Sequence, residues 1–262
     1  MLDTFPADFH AFVTGTSGAI GGELVRSLRR RYPQAKLTLV DRDGAASEKL
    51  AGELGGQSLI IPHDLTNISG LPEVMEQAVS VNGPVALLVN CAGIMDVRSL
   101  EGTPWDAGER VLVVDYLAPM RLMSLCAAPM AASRRGAIVN ISSMAGRVRL
   151  KGCAYYGSAK AGLAMASEVA REELKPKNVH VLTVYPGPVY SALERGARQQ
   201  YGGGRLAKAM PTGDPAELAK LILDGVEKRK TRVVYPPVYG VGYALGDLAA
   251  NFTLSVGPKP EE

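Results

Sequence analysis

The chain has 262 residues, 47% of them apolar and 21% charged, which suits one large domain with a sizeable core and excludes wholesale disorder. The net charge of +3 is too balanced to argue for nucleic acid, and the short runs Arg29-Arg30-Arg31 and Lys228-Arg229-Lys230 read as solvated helix ends. Glycine is in excess, with 29 residues and no Gly-X-Y period, so it belongs in turns where backbone must approach something closely.

Cys91, Cys126 and Cys153 are scattered without a C-x-x-C pair. That pattern fits a reducing, cytoplasmic setting and argues against a disulfide framework or a metal site. The N-terminus has no basic region of the secretory kind. No membrane span is expected, because the nearest apolar stretch, 238–256, is broken by Asp247 and Asn251.

Along the chain, short apolar runs at 11–13, 37–40, 59–61, 85–89, 137–141, 179–184 and 232–235 read as buried parallel strands. Helical spacing occupies 20–31, 45–54, 71–81, 104–130, 154–174 and 215–228. Thr103-Pro104 and Asp214-Pro215 look like helix starts, each a capping residue followed by proline. Regular alternation predicts an α/β fold: a doubly wound, Rossmann-like parallel sheet in a single domain over 1–262. The polar segment 190–211, with Gly202-Gly203-Gly204, interrupts the alternation and is expected to be a substrate loop or lid.

The first strand runs into Thr14-Gly15-Thr16-Ser17-Gly18-Ala19-Ile20-Gly21 and then a helix. Glycines there permit a tight turn and let amides reach a pyrophosphate at a helix N-terminus. Asp41 ends the second strand 20 residues after Gly21, the expected place for a carboxylate that bonds the adenosine ribose. A carboxylate there repels a 2′-phosphate and favours NAD, while the adjacent Arg42 keeps NADP open as the alternative.

Tyr156 and Lys160 stand four apart on a helix-compatible stretch and share a face. Tyr32 and Lys36 have the same spacing, but Pro33 prevents a common helix. A nearby ammonium is expected to lower the phenol's pKa toward working pH, and Ser143 can donate to a carbonyl or alkoxide oxygen.

With these motifs in order, the chain resembles the short-chain dehydrogenase/reductase family in its shorter, single-domain branch. The resemblance covers about 12–235 and includes Asp64-Leu65, Asn90-Cys91-Ala92-Gly93, Ser143 thirteen residues before Tyr156, and Pro186-Gly187-Pro188-Val189. It implies adenine contacts from Asp64 and Leu65, and ribose contacts from Asn90 and Gly93, with Ala92 between them. It further implies that Lys160 holds the nicotinamide ribose, that the Val189 amide bonds the carboxamide, and that Pro186, Gly187 and Ser191 lie along the cofactor.

The resemblance also implies a homodimer or homotetramer formed through the helices at 104–130 and 154–174. Two positions depart from the family pattern. Ala19 stands where a loop glycine is usual, and Asp115 stands where a catalytic Asn is usual.

The expected activity is NAD(P)-dependent interconversion of a secondary alcohol and a ketone, on a moderately large apolar small molecule. Met95, Met144, Val148, Leu150, Tyr155, Tyr190, Leu193 and Met210 are expected around that substrate, with Arg147, Arg149 and Arg195 able to meet an anionic group. The 238–256 tail reads as an interface or a cover for the site. The alternatives are a non-catalytic nucleotide-sensing or interaction protein, and a lyase or epimerase that uses bound NAD transiently.

Overall fold

A computed structural model describes residues 5–201 and 210–246, together with 248, 250, 251 and 253. Seven strands make one parallel sheet: β1 His10–Thr14, β2 Lys36–Asp41, β3 Ser58–Pro62, β4 Val85–Asn90, β5 Gly136–Ile141, β6 Val179–Pro186 and β7 Arg232–Tyr235. Their order is β3-β2-β1-β4-β5-β6-β7, and the direction of winding reverses between β1 and β4. In such sheets ligands bind beyond the carboxyl ends of the strands at that reversal.

Alternate strand residues supply two cores, one on each face of the sheet. Ala11 and Val13 of β1 join Leu24 and Leu28 of α1 (Ala19–Arg31) and Ile222 of the later helix Pro215–Glu227. Phe12, pointing the other way, joins Leu71 and Ala78 of α3 (Leu71–Asn82), Leu122 of α5 (Ala118–Ser133) and Leu163 of α6 (Ala154–Leu174). The remaining early helices are α2 (Gly44–Leu54) and α4 (Trp105–Leu112).

The expected elements all form, with instructive differences. The helix expected over 104–130 is α4, a wide π turn at Val113–Leu117, and α5, running without a break as Trp105–Ser133. By length and composition this helix is long and apolar enough to cross a membrane, contrary to the expectation of no such stretch. Here it is a core helix, with Val111, Leu122 and Met130 buried. Its first residue is Trp105 and Thr103 does not cap it; the Thr103 hydroxyl donates to the Ser99 carbonyl at 2.8 Å. Asp214 does cap its helix, accepting the amides of Ala216 and Glu217 at 2.7 and 3.0 Å.

Arg29 is not solvated. It is buried, and its guanidinium donates to the carbonyls of Pro33, Ala35 and Gln57.

Two helices were not expected. The polar segment at 190–211 contains α7 (Ala192–Gln200), followed in the chain by α8 (Pro215–Glu227), and the tail contains α9 (Tyr239–Leu245). Gly202, Gly203 and Gly204 lie outside the described residues. Neither α7 nor α9 buries a residue fully; the apolar residues Leu193 and Ala197 of α7 face the cleft instead of the core.

Candidate active site

A cleft of about 1400 Å³ opens along the carboxyl ends of β1 to β6. One end is built from the loop between β1 and α1. Gly15 has φ +74°, and a Cβ on it would lie 2.6 Å from the Ala92 backbone. A Cβ on Gly21 would lie 2.1 Å from the Gly15 carbonyl oxygen, so only glycine lets the loop fold back against the helix start. No acidic residue occupies the first turn of α1, and its open N-terminus points anion-binding amides at the cleft. Thr14 braces this end: its hydroxyl accepts the amides of Cys91 and Ala92 at 3.1 and 3.2 Å. This is a dinucleotide cradle by shape, and the residues present fit one.

Asp41 ends β2 at the rim of that cradle. Its Oδ2 accepts the Ser17 amide and hydroxyl, and its Oδ1 accepts the Asp43 amide. Arg42, Asp64 and Leu65 line the same end, joined by two residues that sequence reasoning missed, His63 and Arg110. Thr66 donates its amide and hydroxyl to Asp64, which holds that carboxyl below its ordinary range despite partial burial, with Arg42 and Arg110 adding to the effect. Arg110 left no signal in the sequence, because it reaches the cleft from α4, far along the chain.

Ser17, Gly18, Ile20, Ala92, Gly93, Pro186, Gly187, Val189 and Ser191 also line the cleft. Asn90 does not. It is buried, and its side-chain amide donates to Asn140 Oδ1 at 2.8 Å, bridging β4 and β5 beneath the floor. Of the two residues expected at the adenosine ribose, Gly93 lines the cleft, while the Asn90 side chain braces β4 against β5.

At the inner end, Tyr156 and Lys160 project from one face of α6, both buried. Gly146 lets the segment after β5 press onto the helix, since a Cβ there would meet the Lys160 backbone at 2.7 Å. The Ser142 hydroxyl donates to the Lys160 carbonyl at 2.8 Å and locks the same contact. Ser143 lines the cleft, and its Oγ accepts the Ala145 amide at 3.1 Å.

The Lys160 Nζ donates to the Ile141 carbonyl at 3.0 Å and lies 3.1 Å from Asp115 Oδ2. It stands 5.9 Å from the centroid of the Tyr156 ring. Asp115 itself is fully buried behind the cleft wall, with Oδ1 accepting the Ile94 amide at 2.8 Å.

The electrostatics correct one expectation. Burial pushes the Tyr156 phenol up; Lys160 pulls it down, Asp115 pushes it up, and a bond to Ser143 pulls it down, leaving it above the ordinary value. Burial alone would depress the Lys160 ammonium, but Asp115 and Tyr156 hold it above its usual range.

Of the residues expected around a substrate, Met95, Met144, Val148, Leu150, Tyr190, Leu193, Arg195 and Met210 line the cleft. Three residues differ. Tyr155 packs against Gly108, where a Cβ would fall 2.5 Å from its ring. Arg147 lies over the Tyr243 ring at 5.2 Å, and Arg149 donates to Asn251 at 2.9 Å, so both grip the tail. In their place the tail contributes Val238, Val241, Leu245 and Leu248 to the wall. Helix α7 is pinned across the opening by Gln200, which accepts the Val97 amide and donates to Asp96, at 3.0 and 3.1 Å.

The sequence model of the short chain dehydrogenase family matches residues 9–202. The chain belongs to that family of NAD(P)-dependent oxidoreductases. Among curated relatives it is 33% identical over 157 residues to a Xanthobacter autotrophicus protein named inactive 2-(S)-hydroxypropyl-CoM dehydrogenase 2, covering 60% of this chain and 68% of the relative. Among solved structures it resembles a short-chain dehydrogenase from Sphingobium yanoikuyae in complex with NADPH, at 25% identity, TM-score 0.78, and coverage of 95% of this chain and 96% of that one. It also resembles the bulky-bulky ketone specific alcohol dehydrogenase from Comamonas testosteroni, at 26% identity, TM-score 0.75 and 94% of both chains.

Proposed function

We propose that this protein interconverts a secondary alcohol and a ketone on a moderately large apolar molecule, using NAD in preference to NADP, with Tyr156 as the acid/base. The observation that carries the reading is the pairing of Tyr156 and Lys160 on one face of α6, at the inner end of a cleft whose outer end is a glycine-built dinucleotide cradle.

When bound, the nicotinamide supplies or accepts the hydride. In the reducing direction the Tyr156 hydroxyl gives its proton to the carbonyl oxygen, and the Ser143 hydroxyl donates a hydrogen bond to the same oxygen. Lys160 has three N–H donors. One meets the Ile141 carbonyl, the charge is paired with Asp115, and a remaining donor would reach the nicotinamide ribose. Asp41 takes the adenosine ribose hydroxyls, and its fixed negative charge disfavours a 2′-phosphate.

The apolar wall of Met144, Val148, Leu150, Val241 and Leu245 supports a bulky apolar substrate. The chain's likeness to the bulky-bulky ketone specific alcohol dehydrogenase of Comamonas testosteroni supports the same class. Exposed Trp105 on α4 and exposed Met165 and Val169 on α6 support a homodimer or homotetramer through those helices. Light scattering that returns the mass of a single chain would count against it.

The deciding experiment is a panel of aryl-alkyl, cyclic and long-chain ketones with NADH and NADPH in parallel, run also with the matching alcohols. Nicotinamide absorbance changing with bulky apolar members supports the reading; turnover restricted to small polar sugars removes the substrate class. A second reading, a nucleotide-binding protein without turnover, is favoured by the carboxylate against Lys160. It predicts cofactor binding with no absorbance change on any member.

A further inference from the structure

We propose that Asp115 is a positioning residue: it holds the Lys160 ammonium as an ion-pair partner and so keeps the Tyr156 hydroxyl protonated, biasing the site toward carbonyl reduction further into alkaline pH than a neutral residue at 115 would allow. The proposal rests on the reading of Tyr156 as the acid/base.

The backbone presents this carboxylate deliberately. Residues Val113–Leu117 form a π turn between α4 and α5, a wide turn that often accompanies functional sites. It carries Asp115 to full burial, where Oδ2 has no hydrogen-bond partner among the described residues and the Lys160 ammonium is its counter-charge. Oδ1 takes the Ile94 amide at 2.8 Å, and Oδ2 faces Nζ of Lys160 at 3.1 Å. Gly93 makes room for the pair, since a Cβ there would lie 3.2 Å from Oδ2 and 3.4 Å from Nζ.

An Asn at 115 could accept the Ile94 amide equally well, so that bond does not account for a charge. What a carboxylate adds is a counter-ion for the lysine. An unshared ammonium stabilises a phenolate; an ammonium already paired stabilises it less, and the carboxylate repels the phenolate besides.

The other groups facing the pair do not substitute for Asp115. Cys91, after β4, has its thiol pushed up to about 12 by burial, and the Cys153 thiol before α6 is also raised. Both are neutral at working pH. Tyr156 is the remaining titratable neighbour, and β5 presents only the neutral Ile141 carbonyl and the hydroxyls of Ser142 and Ser143.

The test compares wild type with Asp115→Asn, which keeps the shape and removes the charge. With the best ketone and alcohol pair of the panel above, kcat/KM is measured across pH in both directions. The alkaline limb of reduction and the acid limb of oxidation are both expected to move to lower pH in Asp115→Asn, by about one unit. On the acid limb that is about a tenfold gain in oxidation at fixed pH. Superimposable profiles, or a shift to higher pH, overturn the proposal.

A second readout needs no turnover. The ultraviolet tyrosinate absorbance of each protein, minus that of its Tyr156→Phe counterpart, titrates Tyr156 directly. Phenolate appearing at lower pH in Asp115→Asn supports the proposal. Equal titration in the two proteins, including none in either, overturns it. If no panel member is turned over, the dehydrogenase reading fails while this titration still decides the role of Asp115. Should Asp115→Asn fail to fold by circular dichroism, Asp115→Ser serves the same comparisons.

Discussion

One oxygen of Asp41 accepts both the amide and the hydroxyl of Ser17, each at 2.8 Å. The carboxylate is thereby fixed at the rim of the cradle as a charge that cannot swing aside for a phosphate. Asp41→Ala is expected to weaken NADH binding, strengthen NADPH binding, and shift their ratio about tenfold, or ~1.4 kcal/mol. Fluorescence titration with both cofactors measures this, and an unchanged ratio contradicts the assignment.

Tyr156→Phe removes one oxygen from a buried side chain and leaves the ring packing intact. Turnover is expected to fall by about 10²–10⁴-fold, the usual worth of a positioned acid/base. Cofactor affinity should stay within a few-fold, because the cradle lies at the other end of the cleft. Retained turnover would mean that another group moves the proton.

Gly21→Ala places a Cβ 2.1 Å from the Gly15 carbonyl oxygen, a backbone atom that cannot step away cheaply. Loss of cofactor binding and a lower Tm are expected together. Gly52→Ala, in α2 with nothing within 4 Å of the added carbon, is the control and should leave Tm equal or raised.

The sheet and the long helices were legible because burial on both faces forces continuous Val, Ile and Leu runs, and because α1 and α8 carry apolar stripes. The cradle was legible for a different reason: Gly15, Gly18 and Gly21 answer a steric demand that no other residue meets. Two kinds of information were not local enough to read. The inward turn of Asn90 and the outward grip of Arg147 and Arg149 depend on partners 50, 96 and 102 residues away. The sign of the Tyr156 shift depends on burial outweighing its lysine, which spacing alone does not reveal.

His180 in β6 should mark the acid side of the stability profile. Burial, with Arg229 and Arg171 adding to it, depresses its pKa to about 4 from 6.5. The unfolded chain takes up this proton near 6.5, while the folded chain resists until about 4. Its contribution to stability is therefore full above the unfolded value and lost as pH falls toward the folded one. Tm should fall across that window, and less steeply in His180→Gln; parallel curves for the two proteins would assign the loss to other groups.

The cleft draws its walls from Gly15 at one end of the chain and Thr253 at the other. A molecule that fills it meets the loops after six strands and the tail at once, so it acts as a reporter on the whole fold. Folding and ligand binding are linked by mass action, and at one hundred times Kd the gain is about 2.7 kcal/mol. A melting curve taken with each dinucleotide, with no substrate in hand, thus ranks the cofactors by the heat the protein survives.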